Sequence, residues 1–184
     1  MSTAAARTRR AGLITVLLAL LVGLVGAQLI GSQAASARVA THGRTSYESH
    51  VASGVFRMIN AERRAHHLKP LSSRRRLQVS ARRHNVTMSQ FNVMSHQLPR
   101  EAAPGTRMRQ AGYKWRWAGE NIAWNSEMDA RGVNLLETLM YNEKPPNNGH
   151  RLNILSPHYR NVGVDVYIDR THHKVWLTTD FGAH

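Results

Sequence analysis

The spacing of apolar positions predicts helices in the first part of the chain. The first helix begins near Tyr47, carries apolar side chains at helical spacing over 51–59, and ends before the Lys-Pro pair at 69–70. A second helix with a similar apolar face follows it, and a third ends at two consecutive prolines. We expect the second helix over 73–92 and the third over 128–144. A shorter helix is expected over 106–111.

The C-terminal part of the chain changes to a period of two. Apolar residues alternate with polar or small residues over 162–168 and again over 175–180. Residues 169–172 supply a turn between these runs, so an antiparallel hairpin is expected. Residues 117–124 are a third candidate strand. Helices followed by paired strands predict an α+β fold, with helices packed on a small antiparallel sheet.

The N-terminal stretch 1–37 has the layout of a secretory signal peptide. A basic start precedes an apolar run over 13–30, and a small-x-small cleavage pattern follows at 35–37. The alternative is an uncleaved membrane anchor, because the run approaches the length that spans a bilayer. Both interpretations predict a secreted or extracytoplasmic protein, with a linker over 38–50 and one domain over 51–184.

The rest of the chain is strongly basic and contains no cysteine. Residues 38–184 carry 22 Lys and Arg against 11 Asp and Glu, a net charge of +11. For an exported protein, this charge predicts an anionic lipid or an anionic cell-wall polymer as partner, with a merely solvated basic face as the alternative. Nucleic acid is not expected, because helix-turn-helix and zinc-finger spacings are absent. Any metal must be held by histidine and carboxylate rather than by thiolate.

Helical phase sorts several ionisable residues into buried and solvated sets. Glu143 continues the apolar stripe of the third helix, so its carboxylate is expected on the buried face at the helix end. Glu137 and Lys144 are expected to be solvated. His84 lies on the core-facing stripe of the second helix and is expected to be a hydrogen-bonded interior residue rather than a ligand. A carboxylate on a buried stripe needs a partner, and His150 could fold back beside Glu143; the alternative is an exposed glutamate at the rim.

A second histidine and a second glutamate lie in segments that are separate from these. His96 follows the second helix, and Glu120 is flanked by Trp115, Trp117 and Trp124, which could wall a partly dry pocket. Histidine and carboxylate are ligand types that zinc and other borderline divalent metals prefer. The contiguous His-Glu-x-x-His motif of zinc proteases is absent, so spacing alone is not diagnostic.

A series of short motifs covers most of the chain, from about residue 51 to residue 181. They are Asn-Ala-Glu-Arg at 60–63, Ser-His at 95–96, Ala-Gly-Tyr at 111–113, Gly-Glu-Asn-Ile at 119–122, Gly-His-Arg-Leu-Asn-Ile-Leu at 149–155 and Asn-Val-Gly-Val at 161–164. In this order and spacing the chain resembles the CAP superfamily of cysteine-rich secretory, antigen 5 and pathogenesis-related 1 proteins. The resemblance is to the cysteine-free bacterial branch of that superfamily.

The resemblance implies an α-β-α sandwich with an open cleft. It also implies a cleft tetrad, which falls on His96, Glu120, Glu143 and His150 in this sequence. In the family the histidines can coordinate zinc or another divalent metal, and the glutamates orient them. Some members bind sterols or other lipids. A general enzymatic activity is not established for the family, so catalytic residues stay unknown.

Three functional hypotheses follow. The first is an exported CAP-domain protein whose His/Glu cleft binds a divalent metal and a lipid or cell-wall ligand, without established catalysis. The second is a metal-assisted hydrolase of peptide or cell-wall polymer, in which Glu120 or Glu143 acts as general base toward a zinc-bound water. The third is a basic interaction module that binds anionic polymer independently of the His/Glu residues.

Overall fold

The computed structural model describes residues 43–184, so the predicted signal peptide and the first part of the predicted linker lie outside the described residues. Within that part of the chain, no helix combines the length and the apolar character needed to cross a bilayer. The helices are α1 (Ser46–Ala65), α2 (Arg75–Phe91), α3 (Pro104–Gln110), α4 (Ala130–Tyr141) and α5 (Gly149–Ile154). The strands are β1 (Ser72–Ser73), β2 (Trp117–Asn125), β3 (Asn161–Asp169) and β4 (Lys174–Ala183).

The four strands form one sheet in the order β1-β3-β4-β2. Strands β3 and β4 form the predicted antiparallel hairpin, in which Asp169 lies opposite Lys174. Strand β2 is antiparallel to β4, and this register places Glu120 opposite Asp180. Strand β1 pairs with β3 in parallel. Among the described residues β2 is therefore an edge strand, and one side of the Glu120 segment is free of strand partners.

Helices cover both faces of the sheet, as the alternation of strand side chains requires. The larger core joins α1 and α4 to one face, and the opposite face packs on α2. The first face presents Val162, Val164, Val166, Val175, Leu177 and Phe181, and the second presents Ile122 and Trp176. The predicted α-β-α sandwich and α+β class are confirmed.

Helix α1 begins inside the stretch 38–50 that was expected to be a linker. The main-chain N–H of Glu48 donates to Thr45 Oγ1 at 3.1 Å, and the main-chain N–H of Thr45 donates to Glu48 Oε2 at 2.8 Å. This reciprocal capping box fixes the helix start. The Glu48 carboxylate is buried and also accepts from the N–H of Ile168 on β3, so residues 45–50 pack as part of the domain.

The prediction that Glu137 is solvated is wrong. Its side chain has 0 % exposure, whereas Leu139 on the same helix is 58 % exposed. Glu137 lies four residues after Val133 and three before Met140, so it shares the buried stripe of α4 with them. Because that stripe packs against α1, the glutamate is enclosed despite its charge.

Candidate functional site

The first histidine–glutamate pair joins the segment after α2 to strand β2. His96 Nδ1 lies 2.8 Å from Glu120 Oε1, with the His96 side chain 53 % exposed and the Glu120 side chain buried. An ionised carboxylate only accepts, so the Nδ1–H of His96 donates to it and Nε2 keeps a free lone pair. Burial opposes ionisation of Glu120, but the hydrogen bond from His96 and the charges of His84 and Arg107 outweigh it and hold its pKa below the ordinary value.

Arg107 on α3 engages the other oxygen of the Glu120 carboxylate. Its guanidinium donates to Glu120 Oε2 in a buried ion pair. The same guanidinium donates to the main-chain oxygen of His96 at 2.7 Å and to that of Ala102 at 3.0 Å. Arg107 therefore holds both members of the pair, and both Glu120 oxygens are occupied. This arrangement suits Glu120 to orienting His96 and leaves it poorly placed as a general base.

Two further ionisable residues lie behind Glu120. His84 is fully buried and its Nδ1 lies 2.9 Å from Glu101 Oε1, so the predicted interior, hydrogen-bonded histidine is confirmed. Asp180, opposite Glu120 across the β2–β4 ladder, is also fully buried. Burial and then the charge of Glu120 raise the pKa of Asp180 well above the ordinary value.

The second histidine–glutamate pair is local. His150 Nδ1 lies 2.5 Å from Glu143 Oε1, and the main-chain N–H of His150 donates to Glu143 Oε2 at 3.0 Å. The predicted proximity of these residues is confirmed. Glu143 does not lie on the helix as predicted, however, because α4 ends at Tyr141. The His150 side chain is 33 % exposed and the Glu143 side chain is 24 % exposed. As in His96, the proton on Nδ1 leaves Nε2 with its lone pair.

Two asparagines connect the segments that carry the pairs. Asn121 Nδ2 donates to the main-chain oxygen of His150 at 3.1 Å. Asn153 Nδ2 donates to the main-chain oxygen of Glu120 at 3.2 Å and to Asn121 Oδ1 at 2.8 Å. Helix α5, which begins with His150 in its first turn, is thereby tied to strand β2 at Glu120. Both asparagines lie in motifs quoted above, but the spacing of those motifs does not predict the hydrogen bonds between their segments.

Gly119 permits the close approach of α5 and its following loop to β2. A Cβ added at Gly119 would overlap the hydroxyl oxygen of Tyr159 and would lie 2.8 Å from Asn153 Oδ1. The glycine therefore serves packing, since any side chain would push the Asn153 contact away from the strand. Gly149, by contrast, has no atom within 4 Å of an added Cβ.

The tryptophans do not enclose a dry pocket around Glu120. Trp117 is 45 % exposed and stacks on His158 with a centroid distance of 4.2 Å. Trp124 is 41 % exposed and has the Lys174 Nζ 4.2 Å from its ring centroid. Edge strand β2 thus leaves both side chains at the surface, and their role as walls of an open cleft stays a prediction.

His96 and His150 are the candidate metal ligands among the residues described above. Among residues 43–184, no group of three or more histidine or carboxylate side chains is placed to hold a metal ion. A metal at this site would therefore have two protein ligands at most, the Nε2 atoms of His96 and His150. Water or another ligand would complete its coordination.

The family assignment is decided by a direct comparison. The sequence model described as "CAP: Cysteine-rich secretory protein family" matches residues 56–181, more than half of the chain. The chain belongs to the CAP family. Its CAP domain is 36 % identical over 110 residues to the YkwD protein of Bacillus subtilis (strain 168), a match that covers 60 % of this chain and 40 % of that protein.

Solved structures share the fold of this CAP domain. An extracellular protein containing an SCP domain from Bacillus anthracis str. Ames is 27 % identical, with a TM-score of 0.64, over 74 % of this chain and 41 % of that one. The crystal structure of NaASP2 with Zn²⁺ is 14 % identical, with a TM-score of 0.55, over 76 % of this chain and 83 % of that one. The chain spans about two fifths of the length of its two Bacillus relatives.

Proposed function

We propose that this CAP-domain protein is exported and binds a divalent metal ion through His96 and His150. The observation that carries the proposal is the matched state of the two imidazoles. In each imidazole, Nδ1 lies 2.5–2.8 Å from a glutamate oxygen, so the Nδ1–H donates to the glutamate and the lone pair of Nε2 is available to a metal ion. A carboxylate that accepts from the far nitrogen of a histidine fixes its tautomer and strengthens it as a metal ligand.

Zinc is the metal to test first. Imidazole suits zinc, and a protein of the same fold has been crystallised with Zn²⁺. With two histidine ligands the remaining positions would be open to water or to an external ligand. A bound metal would supply Lewis acidity at these positions. Within this chain, Arg107 and Glu120 would hold His96 in place, and Glu143 would hold His150.

Export and the nature of the external ligand are part of the same proposal. The Bacillus anthracis relative is an extracellular protein, and a basic domain outside the cell meets anionic lipids and wall polymers. We infer such a polymer or lipid as the ligand. Binding to anionic vesicles and to anionic wall polymer would be measured at rising salt and, separately, with a chelator. Salt screening weakens binding through the basic surface. Chelator abolishes binding through a bound metal.

Metal-assisted hydrolysis stays a prediction. Glu120 has both carboxylate oxygens engaged, by His96 and by Arg107. Both oxygens of Glu143 also accept from His150, but Glu143 is the more exposed of the two carboxylates and is the candidate to act on a metal-bound water. Turnover of peptides or wall fragments that is lost in both Glu143→Gln and chelator would support this reaction.

The zinc proposal is tested by calorimetric titration of the full chain. Wild type is expected to bind Zn²⁺, and the double variant His96→Ala/His150→Ala is expected to lose that binding. His50→Ala, which removes an exposed histidine on α1, is the matched control and should bind as wild type does. Equal zinc uptake by wild type and the double variant would overturn the proposal.

A further inference from the structure

Helices α1 and α4 enclose a pair of glutamates that the proposed metal site does not use. Glu137 on α4 has 0 % exposure, and among the described residues no donor outside the pair reaches either of its carboxyl oxygens. Glu62 on α1 is half-buried, and its Oε2 is likewise buried without a partner. Buried carboxyl oxygens without donors are costly, so their state needs an explanation.

A proton held by the pair itself explains these oxygens. Burial raises the pKa of Glu137 well above the ordinary value, and the charge of Glu62 raises it further. Burial also raises the pKa of Glu62, to about 7, although a hydrogen bond from Glu137 and the charge of Arg151 act against the rise. A protonated Glu137 that donates to Glu62 pairs one oxygen of each carboxyl and removes the repulsion between two buried charges.

Contacts of Arg151, near the glutamate pair, connect α5 to α4 and to the end of α1. Arg151 on α5 donates to the main-chain oxygen of Tyr141, and its guanidinium carbon lies 4.5 Å from the Tyr141 ring centroid. His66, the residue directly after α1, lies with its Nε2 3.0 Å from the Tyr141 hydroxyl and 3.4 Å from Arg151 Nη2. The charge of Arg151 on α5 therefore acts on Glu62, and His66 and Tyr141 contact Arg151 in turn. Arg151 directly follows the site residue His150.

We propose that Glu62 and Glu137 share a proton in the folded domain, and that this proton holds α1 against α4 while Arg151 balances the remaining charge. Loss of the shared proton would leave two buried negative charges facing one arginine. The α1–α4–α5 junction would then be destabilised, and α5 with His150 would loosen. The device is independent of metal binding, since neither glutamate belongs to the two histidine pairs.

The sign of the pH effect follows from the raised pKa values. An unfolded glutamate releases its proton near its ordinary pKa of about 4.3, whereas in the folded pair the pKa of Glu62 is raised to about 7 and that of Glu137 lies well above the ordinary value. The folded state then binds more protons, so its stability falls as pH rises. Each extra proton raises the unfolding equilibrium constant about tenfold per pH unit in that window.

The test compares unfolding of the full chain at pH 5 to 9 in wild type, Glu137→Gln, Glu62→Gln and the exposed control Glu127→Gln. Relative to wild type, the unfolding constant of Glu137→Gln should fall about tenfold per pH unit between pH 5 and 7. Glu62→Gln should lose a smaller part of this pH dependence, because burial alone keeps the pKa of Glu137 raised, and it keeps the test open if Glu137→Gln does not fold. The control should run parallel to wild type.

Infrared spectroscopy measures the protonation of carboxyl groups directly, which a change in packing alone would not alter. At pH 7 wild type should show a protonated-carboxyl C=O band, part of which disappears in Glu137→Gln and persists in Glu127→Gln. Parallel pH curves for wild type and both pair variants would overturn the proposal. So would an unchanged carboxyl band in Glu137→Gln.

Discussion

The two histidine–glutamate pairs make the same contact and rest on different parts of the fold. His96 and Glu120 are 24 residues apart, and Glu120 is buried and held by Arg107 from a third element. His150 and Glu143 are seven residues apart, and both are partly exposed. The first pair is therefore part of the buried structure of the domain, whereas the second is a local loop that the domain supports. Damage to the first should cost stability, and damage to the second should cost metal binding alone.

The largest expected effect is on the buried pair. Replacing Arg107 by alanine leaves the buried Glu120 carboxylate without its arginine partner, and breaking a buried ion pair in this way costs about 3–5 kcal/mol. Urea unfolding should show this loss of stability. The exposed neighbour Arg109, which lies over the Trp115 ring, is the matched control. Arg109→Ala should lower the free energy of unfolding by no more than about 0.5 kcal/mol. Equal losses in the two variants would show that the buried pair has no special weight.

An intermediate effect is expected at the junction between the pairs. In Gly119→Ala the new methyl overlaps Tyr159, so stability should fall by about 1–3 kcal/mol. Zinc affinity should fall as well, because the Asn153 contact that ties α5 to β2 is displaced. Gly149→Ala adds the same methyl to open space at the start of α5, and it should be neutral. A neutral Gly119→Ala would mean that the two segments can separate without cost.

The smallest effect on stability is expected at the local pair. Glu143→Gln should change the free energy of unfolding by about 0.5 kcal/mol or less, because the carboxylate is partly exposed. It should still weaken zinc binding about ten- to a hundredfold, since His150 loses the charged acceptor that orients it. Calorimetry and urea unfolding on one sample measure both quantities, with Glu127→Gln as control. A large loss of stability with unchanged zinc affinity would reverse the roles given to the two pairs.

The same contrast explains how far the sequence could predict the site. The contact between Glu143 and His150 was predictable because both residues lie in one local segment with a short turn, even though Glu143 lies past the end of α4 and the helical phase assigned to it was wrong. His96 and Glu120 came together through the family resemblance, since no spacing links them. Arg107 and Asp180 were not predicted, because a buried partner supplied by another element leaves no periodic signal in its own segment.

Predictions about burial succeeded where one apolar stripe dominated and failed where two were possible. In α4 the spacing fits Leu135 and Leu139 beside the stripe as well as it fits Glu137. The structure exposes the two leucines and buries the glutamate, since α1 packs against the Val133–Met140 side. Helix α5 was not predicted, because six residues give too short a window for periodicity.

The central claim is that the two pairs form one metal site, and a double-mutant cycle on zinc binding tests it most directly. Zinc affinity and stoichiometry would be measured for wild type, His96→Ala, His150→Ala and the double variant. If one ion uses both imidazoles, wild type binds one zinc per domain, and each single variant loses nearly as much affinity as the double variant. Additive losses, or two independent weak sites, would contradict a shared metal site.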